Sequence, residues 1–314
     1  MPRKPYTHSA AWQALMKLQA DVAADANDER DEFVSEDERG QSIWETVEYA
    51  TRLEIAPVTQ GFQLTYYGRG TASQDSPAFA TLLDGLCDQA LADWIEGLTF
   101  VGPDEGANGS REWCFTPLVD SDATFPRLNA LHIPPSDRAA HNTVCIVREG
   151  EILDEAGDIA RFVGKTPQLT HLTLPEAPSS SFFSVPLPKL QRLVIGPGHD
   201  TRGFIAGLAS AALLPSLGQL DFSDSVAPLL QFAPAADEPG ATPFEDYEAL
   251  FHSPLMEHLW GVVLRNAQLT EAQYRQLRAL RPNCQFQVTH AFPACYVSHW
   301  NERGFPWRHL LLKG

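Results

Sequence analysis

The chain is short of positive charge. Its 314 residues include 23 Lys and Arg against 40 Asp and Glu, a formal net charge of −17. Non-specific nucleic-acid binding draws on phosphate neutralisation by Lys and Arg, so no nucleic-acid partner is expected. A basic partner, or simply good solubility, fits this balance better. Cysteine is scarce too: Cys87, Cys114, Cys145, Cys284 and Cys295 are scattered, odd in number and without a Cys-x-x-Cys pair. That usage fits free thiols in a reducing compartment rather than a disulfide framework. No apolar run approaches the roughly 18 residues of a membrane span. No apolar stretch of signal type follows the basic Met1-Pro2-Arg3-Lys4-Pro5. The expectation is a cytoplasmic protein with no membrane association.

Catalytic signatures are missing as well. There is no Gly-x-Ser-x-Gly elbow, no His-Glu-x-x-His and no Gly-x-x-x-x-Gly-Lys-Ser/Thr phosphate loop. Carboxylates are plentiful, but no pair stands out as an acid and base. The expectation is a protein that is not an enzyme and uses no cofactor. One stretch argues for an alternative: Leu193-Val194-Ile195-Gly196-Pro197-Gly198 runs on to Gly203, and Asp221 ends the next strand. A glycine turn between strand and helix, with an acid after the following strand, resembles a dinucleotide-binding unit. The alternative is therefore a nucleotide-dependent enzyme using the Gly196–Gly203 turn. Against it, the glycines are mis-spaced and Pro197 removes an amide that could face phosphate. Metal has two weak candidates: Cys284, His290, Cys295 and His299, which lack the usual short ligand spacing, and the pair His132 and His171. No metal is expected at either.

What the chain does have is apolar residues at 44% and a recurring phrase, Pro-x-Leu-x-x-Leu-x-apolar. It occurs at Pro126–Ile133, Pro167–Leu174, Pro188–Ile195 and Pro215–Phe222. Ile95–Phe100 and Leu259–Leu264 are degenerate copies. The second Leu and the last apolar residue lie two apart, on one face of a strand. The second leucines 98, 131, 172, 193 and 220 follow at intervals of 33, 41, 21 and 27 residues. Between copies lie helical patterns, the best over Gly203–Leu214, another over Glu151–Lys165, and a last one after Thr270 bearing Leu277 and Leu280. Cys284, Phe286 and Val288 alternate as a final strand.

Upstream, Ser9 can cap a helix over residues 9–22, with Trp12, Leu15, Met16, Gln19 and Val22 on one face. The acidic stretches Asp28–Glu32 and Glu36–Glu38 read as a solvated loop. Arg52–Ile55 and Phe62–Tyr66 read as a hairpin, Pro77–Trp94 as one helix, and Gly102–Ser110 and Ala227–Thr242 as loops.

The four copies, with Leu259–Leu264 and Asn266 after it, resemble irregular bacterial leucine-rich repeat proteins. The resemblance implies an α/β solenoid: a curved parallel β-sheet with helices and loops on its convex side, capped by a helical and hairpin N-terminal region. The expected division is a cap over 1–93, the repeats over 94–290 and a capping tail over 291–314. It also implies protein binding on the concave face, without catalysis. With the leucines inward, their neighbours in sequence face the other way. The candidate partner-binding residues are His132, His171, Thr173, Arg192, Gln219, Asp221 and Arg265. The partner is a protein of unknown identity; a narrower expectation, from the acidic charge, is an immunity-type inhibitor of a basic toxin.

Overall fold

The computed structural model describes residues 9–33, 51–68, 70, 76–101, 113–134, 156–196, 200–224, 241–291 and 302–304. Cys145, Cys295, His299, residues Glu36–Glu38 and the loops Gly102–Ser110 and 225–240 lie outside them. So do Pro197 and Gly198.

Ser9 does cap the first helix, α1 (Ala10–Phe33), its Oγ accepting from the Trp12 amide at 3.1 Å. Ala11, Leu15, Leu18 and Val22 form its buried stripe. The helix runs on through Asp28–Glu32, where a loop was expected. No Gly or Pro interrupts that stretch, and acidic charge alone does not end a helix. The hairpin follows as β1 (Arg52–Pro57) and β2 (Phe62–Tyr67), paired antiparallel.

Strand and helix then alternate. Pro77–Trp94 is two helices, α2 (Pro77–Leu86) and α3 (Gln89–Ala92), because the Asp88 side chain accepts from the Ala90 amide and starts a new one. After β3 (Ile95–Val101) come α4 (Thr116–Asp120), β4 (Ala130–His132), α5 (Asp158–Gly164) and β5 (His171–Leu174). A single 3-10 turn, Ser180–Ser184, leads to β6 (Arg192–Ile195). Then follow α6 (Phe204–Ala209), β7 (Gln219–Ser223), α7 (Phe244–His252), β8 (Gly261–Arg265), α8 (Glu271–Leu280), β9 (Gln285–Ala291) and β10 (Glu302–Gly304). The helix over Gly203–Leu214 is shorter than its apolar pattern. It begins after Gly203, whose φ of +63° suits glycine, and stops at Ser210.

The ten strands form one sheet in chain order. Every pairing from β2 to β9 is parallel, and antiparallel pairs close both ends. Parallel neighbours need a crossover, which the intervening helices and 3-10 turns supply. The register puts each leucine of the phrase beside the last: Leu98, Leu131, Leu172, Leu193, Leu220, Val262 and Phe286 are consecutive partners. A second ladder joins Leu174, Ile195, Phe222, Leu264 and Val288. The first leucine of each phrase, Leu128, Leu169, Leu190, Leu217 and Leu259, is buried as well.

All these residues share one core with the apolar stripes of α1, α2 and α4–α8. Inward strand residues belong to that core, and their outward neighbours do not. The described helices therefore cover the sheet on one face only. Aromatic rings fill the first half of the core, where Phe100, Trp113 and Phe115 stand 5.0–6.2 Å apart.

The main-chain ladder extends before the strands. Asn129 donates to Glu96, Thr170 to Asn129, Gln191 to Thr170, Gly218 to Gln191 and Trp260 to Gly218, at 2.8–3.0 Å. At the other end, Asn266 adopts φ +58° and donates its amide to Thr289 O. Its counterpart after β7 is Asp224, because Ser223 pairs with Arg265. Asp224 is fully buried and accepts from the Thr242 amide at 3.1 Å, Thr242 Oγ1 at 2.9 Å and the Tyr247 hydroxyl at 2.9 Å. It holds the two ends of the 225–240 excursion together.

Candidate partner-binding face

The strand register sorts the outward side chains into rungs. One rung carries Ala130, His171, Arg192, Gln219, Gly261 and Gln285 on successive strands. The next carries His132, Thr173, Val194, Asp221, Val263 and Gln287. The third holds Ser223, Arg265 and Thr289. All seven candidate residues thus lie on the face that no described helix covers, spread over β4–β8. Strands about 4.8 Å apart make the first two rungs continuous surfaces.

Their exposure is uneven. His132, His171 and Arg192 are exposed, whereas Thr173, Gln219, Asp221 and Arg265 are half-buried. Val194 is 6% exposed, and Ser223 and Thr289 are closed off at 2% and 0%. The open part of the face is therefore its first two rungs.

Asp221 and Arg265 are committed to each other. Arg265 Nε and Nη2 reach the two carboxylate oxygens at 2.6 and 2.9 Å, a two-pronged contact in which the side chains are 11% and 14% exposed. This pair joins adjacent strands. Removing either partner would leave a sheltered charge behind, at a cost of about 3–5 kcal/mol.

His171 has its tautomer set by a neighbour. Thr170 Oγ1 lies 2.8 Å from Asn129 O and 2.8 Å from His171 Nδ1. The carbonyl can only accept, so it takes the single hydroxyl proton. In the neutral ring, Nδ1–H then donates to Thr170 and Nε2 keeps a free lone pair. His132 keeps an exposed edge. Burial of the rest of its ring, and secondarily the Arg192 guanidinium, hold its pKa below the usual 6.5. Arg192 makes no ion pair with any described residue.

Trp260 is a feature that sequence reasoning passed over. It is 52% exposed just before β8, and its Nε1 lies where a side chain at Gly218 would begin, 2.6 Å from a Cβ built there. The signal was present: the same position in the other copies carries Asn129, Thr170, Gln191 and Gly218, and only here a large ring. Gln285 and Gln287 on β9, the outward neighbours of Phe286 and Val288, extend the first two rungs by one strand.

The alternatives fare differently. The Gly196 amide donates to Leu174 O at 2.8 Å, so it already serves the sheet. Helix α6 has only six residues. Cys284 is buried, and burial pushes its thiol pKa up; the side chain of His290 is not described. Among the described residues no three His, Cys, Asp or Glu gather as metal ligands, and no helix is long and apolar enough to cross a membrane.

No family model matches this chain. No curated protein matches it either. Among solved structures, it is similar to a crystal structure of a Bacteroides fragilis protein, with 18% sequence identity and a TM-score of 0.41. The match covers 68% of this chain and 56% of that one, so the chain spans little more than half of its length.

Proposed function

We propose that the chain is a leucine-rich repeat solenoid that acts as a non-catalytic binding module, taking a protein partner on the open face of its sheet. One observation carries this reading. The alternation along β4–β8 sends every leucine of the phrase into a one-sided core and leaves a register-aligned polar surface opposite. The strictly sequential parallel strand order and the repeated leucine ladders support the solenoid assignment. Tryptophan and arginine are favoured anchors in protein interfaces, and Arg192 and Trp260 stand at this surface.

The narrower idea of an inhibitor of a basic toxin rests on the net charge of the whole chain. The open face does not reproduce that charge, so the proposal stops at a binding module.

The test is selection of displayed random peptides on the immobilised full chain, followed by binding to Gln219→Trp and Ala130→Trp. Both substitutions obstruct the first rung without altering its charge. Binders lost on both variants, at unchanged melting temperature, support the proposal. Binders indifferent to both variants would refute it.

A further inference from the structure

The open face does not share the strongly negative charge of the chain. The strands β1–β9 carry three carboxylates, Glu54, Glu96 and Asp221, and Glu96 accepts from the Gln60 amide at 2.7 Å at the β3 end of the sheet. Glu54 accepts from Arg52 Nε at 2.7 Å and Asp221 is held by Arg265 at 2.6 Å. What remains charged and exposed is Arg192, with His171 directly beside it in the register and His132 one strand further on, diagonal to His171. A chain of net charge −17 thus presents, near the centre of this face, a guanidinium with an imidazole on one side and an amide on the other.

From this we infer that the partner is recognised through an acidic segment, with an Asp or Glu carboxylate seated against Arg192 and beside His171. This rests on the open face being the binding site. A carboxylate matches the planar fork of a guanidinium and can accept two hydrogen bonds from it. Its second flank is the His171 ring, whose Nδ1 is tied to Thr170 and which is itself exposed. Gln219, register partner of Arg192 on the other side, adds amide donors. Trp260 leans over Gly218 immediately before Gln219, so an apolar side chain near the carboxylate has a ring to rest on. The surrounding negative charge also selects. An isolated cation in an acidic protein attracts one or two carboxylates at short range, whereas a nucleic acid brings a phosphate for every few ångströms of its length and would need many cations. The chemistry therefore favours a short acidic protein segment.

The experiment divides this inference from the reading beneath it. Peptides selected on the full chain are sorted first by loss on Gln219→Trp and Ala130→Trp, then measured against Arg192→Gln. The inference expects the face-dependent binders to carry Asp or Glu. Replacing one such Asp by Asn should weaken binding to the wild type about tenfold and leave binding to Arg192→Gln unchanged, the signature of a direct pair. Face-dependent binders that are basic or neutral, or whose carboxylates are indifferent to Arg192, overturn the inference while leaving the open face as a binding site. Absence of face-dependent binders overturns both. Oligothymidylate bound through Arg192 as tightly as the acidic peptides would overturn it in favour of a phosphate ligand.

Discussion

At His132 two effects push a titrating ring the same way. Shelter among neighbouring strands disfavours the charged form, and Arg192 adds repulsion, so the folded pKa lies below the ordinary 6.5. The sign of the linkage follows. Above 6.5 the ring is neutral in both states and its contribution to stability is intact. As pH falls through 6.5 the unfolded chain takes up the proton first, and stability is lost until the folded ring titrates too. An NMR titration of the His132 ring should show a midpoint below 6.5 that rises in Arg192→Gln; an unmoved midpoint would contradict the repulsion. Tyr247 offers a second test. Burial, then the Asp224 carboxylate, holds its pKa well above the ordinary value, so it remains a donor to Asp224. Tyr247→Phe removes that donor from a fully buried carboxylate and should cost about 1–3 kcal/mol in urea unfolding. A cost near zero would show that the staple across the 225–240 excursion is dispensable. Asp224 itself was not legible as a turn residue from sequence. The turn signal sought was asparagine, present only at Asn266, and the carboxylate does the same work through side-chain partners 18 and 23 residues away.

At the scale of elements, what could be read was the strand and its inward parity. Leu193, Leu220 and their equivalents repeat a spacing that only a strand entering a shared core satisfies, and each pairs in register with the next. Leu193→Ala, at the centre of the ladder with 0% exposure, should destabilise the fold by about 2–5 kcal/mol in denaturant unfolding. A loss below about 1 kcal/mol would mean the ladder is not the core. Helix ends were less legible, for local reasons. Asp88 divides a continuous apolar pattern by capping a second start, and α6 stops short of the apolar Leu214, which packs from outside the helix. Helix α8 shows the opposite: Thr270 and Gln273 form a reciprocal cap visible in the sequence three residues apart. Thr270→Ala should cost about 1 kcal/mol and raise amide hydrogen exchange in the first turn of α8 specifically.

Across the whole molecule, the two faces of one sheet differ. One face of the sequentially wound sheet is consumed by a helix layer and an aromatic-rich core, and the other is covered by no described helix. That division was legible because side chains alternate along a strand; the charge of the open face was not, because it depends on which carboxylates pair. Asp221 looked like a free contact residue in sequence, yet its partner Arg265 lies 44 residues on and only the register brings them together. A charge reversal at Asp221 would therefore break the fold before it tested binding. The central claim is one-sidedness, and hydroxyl-radical footprinting of the untreated full chain tests it directly. His132, His171 and Trp260 should be oxidised quickly while Trp113, Tyr66 and Phe222 are spared until the chain unfolds; oxidation of Trp113 as fast as Trp260, or protection of both histidines in the free chain, would contradict it.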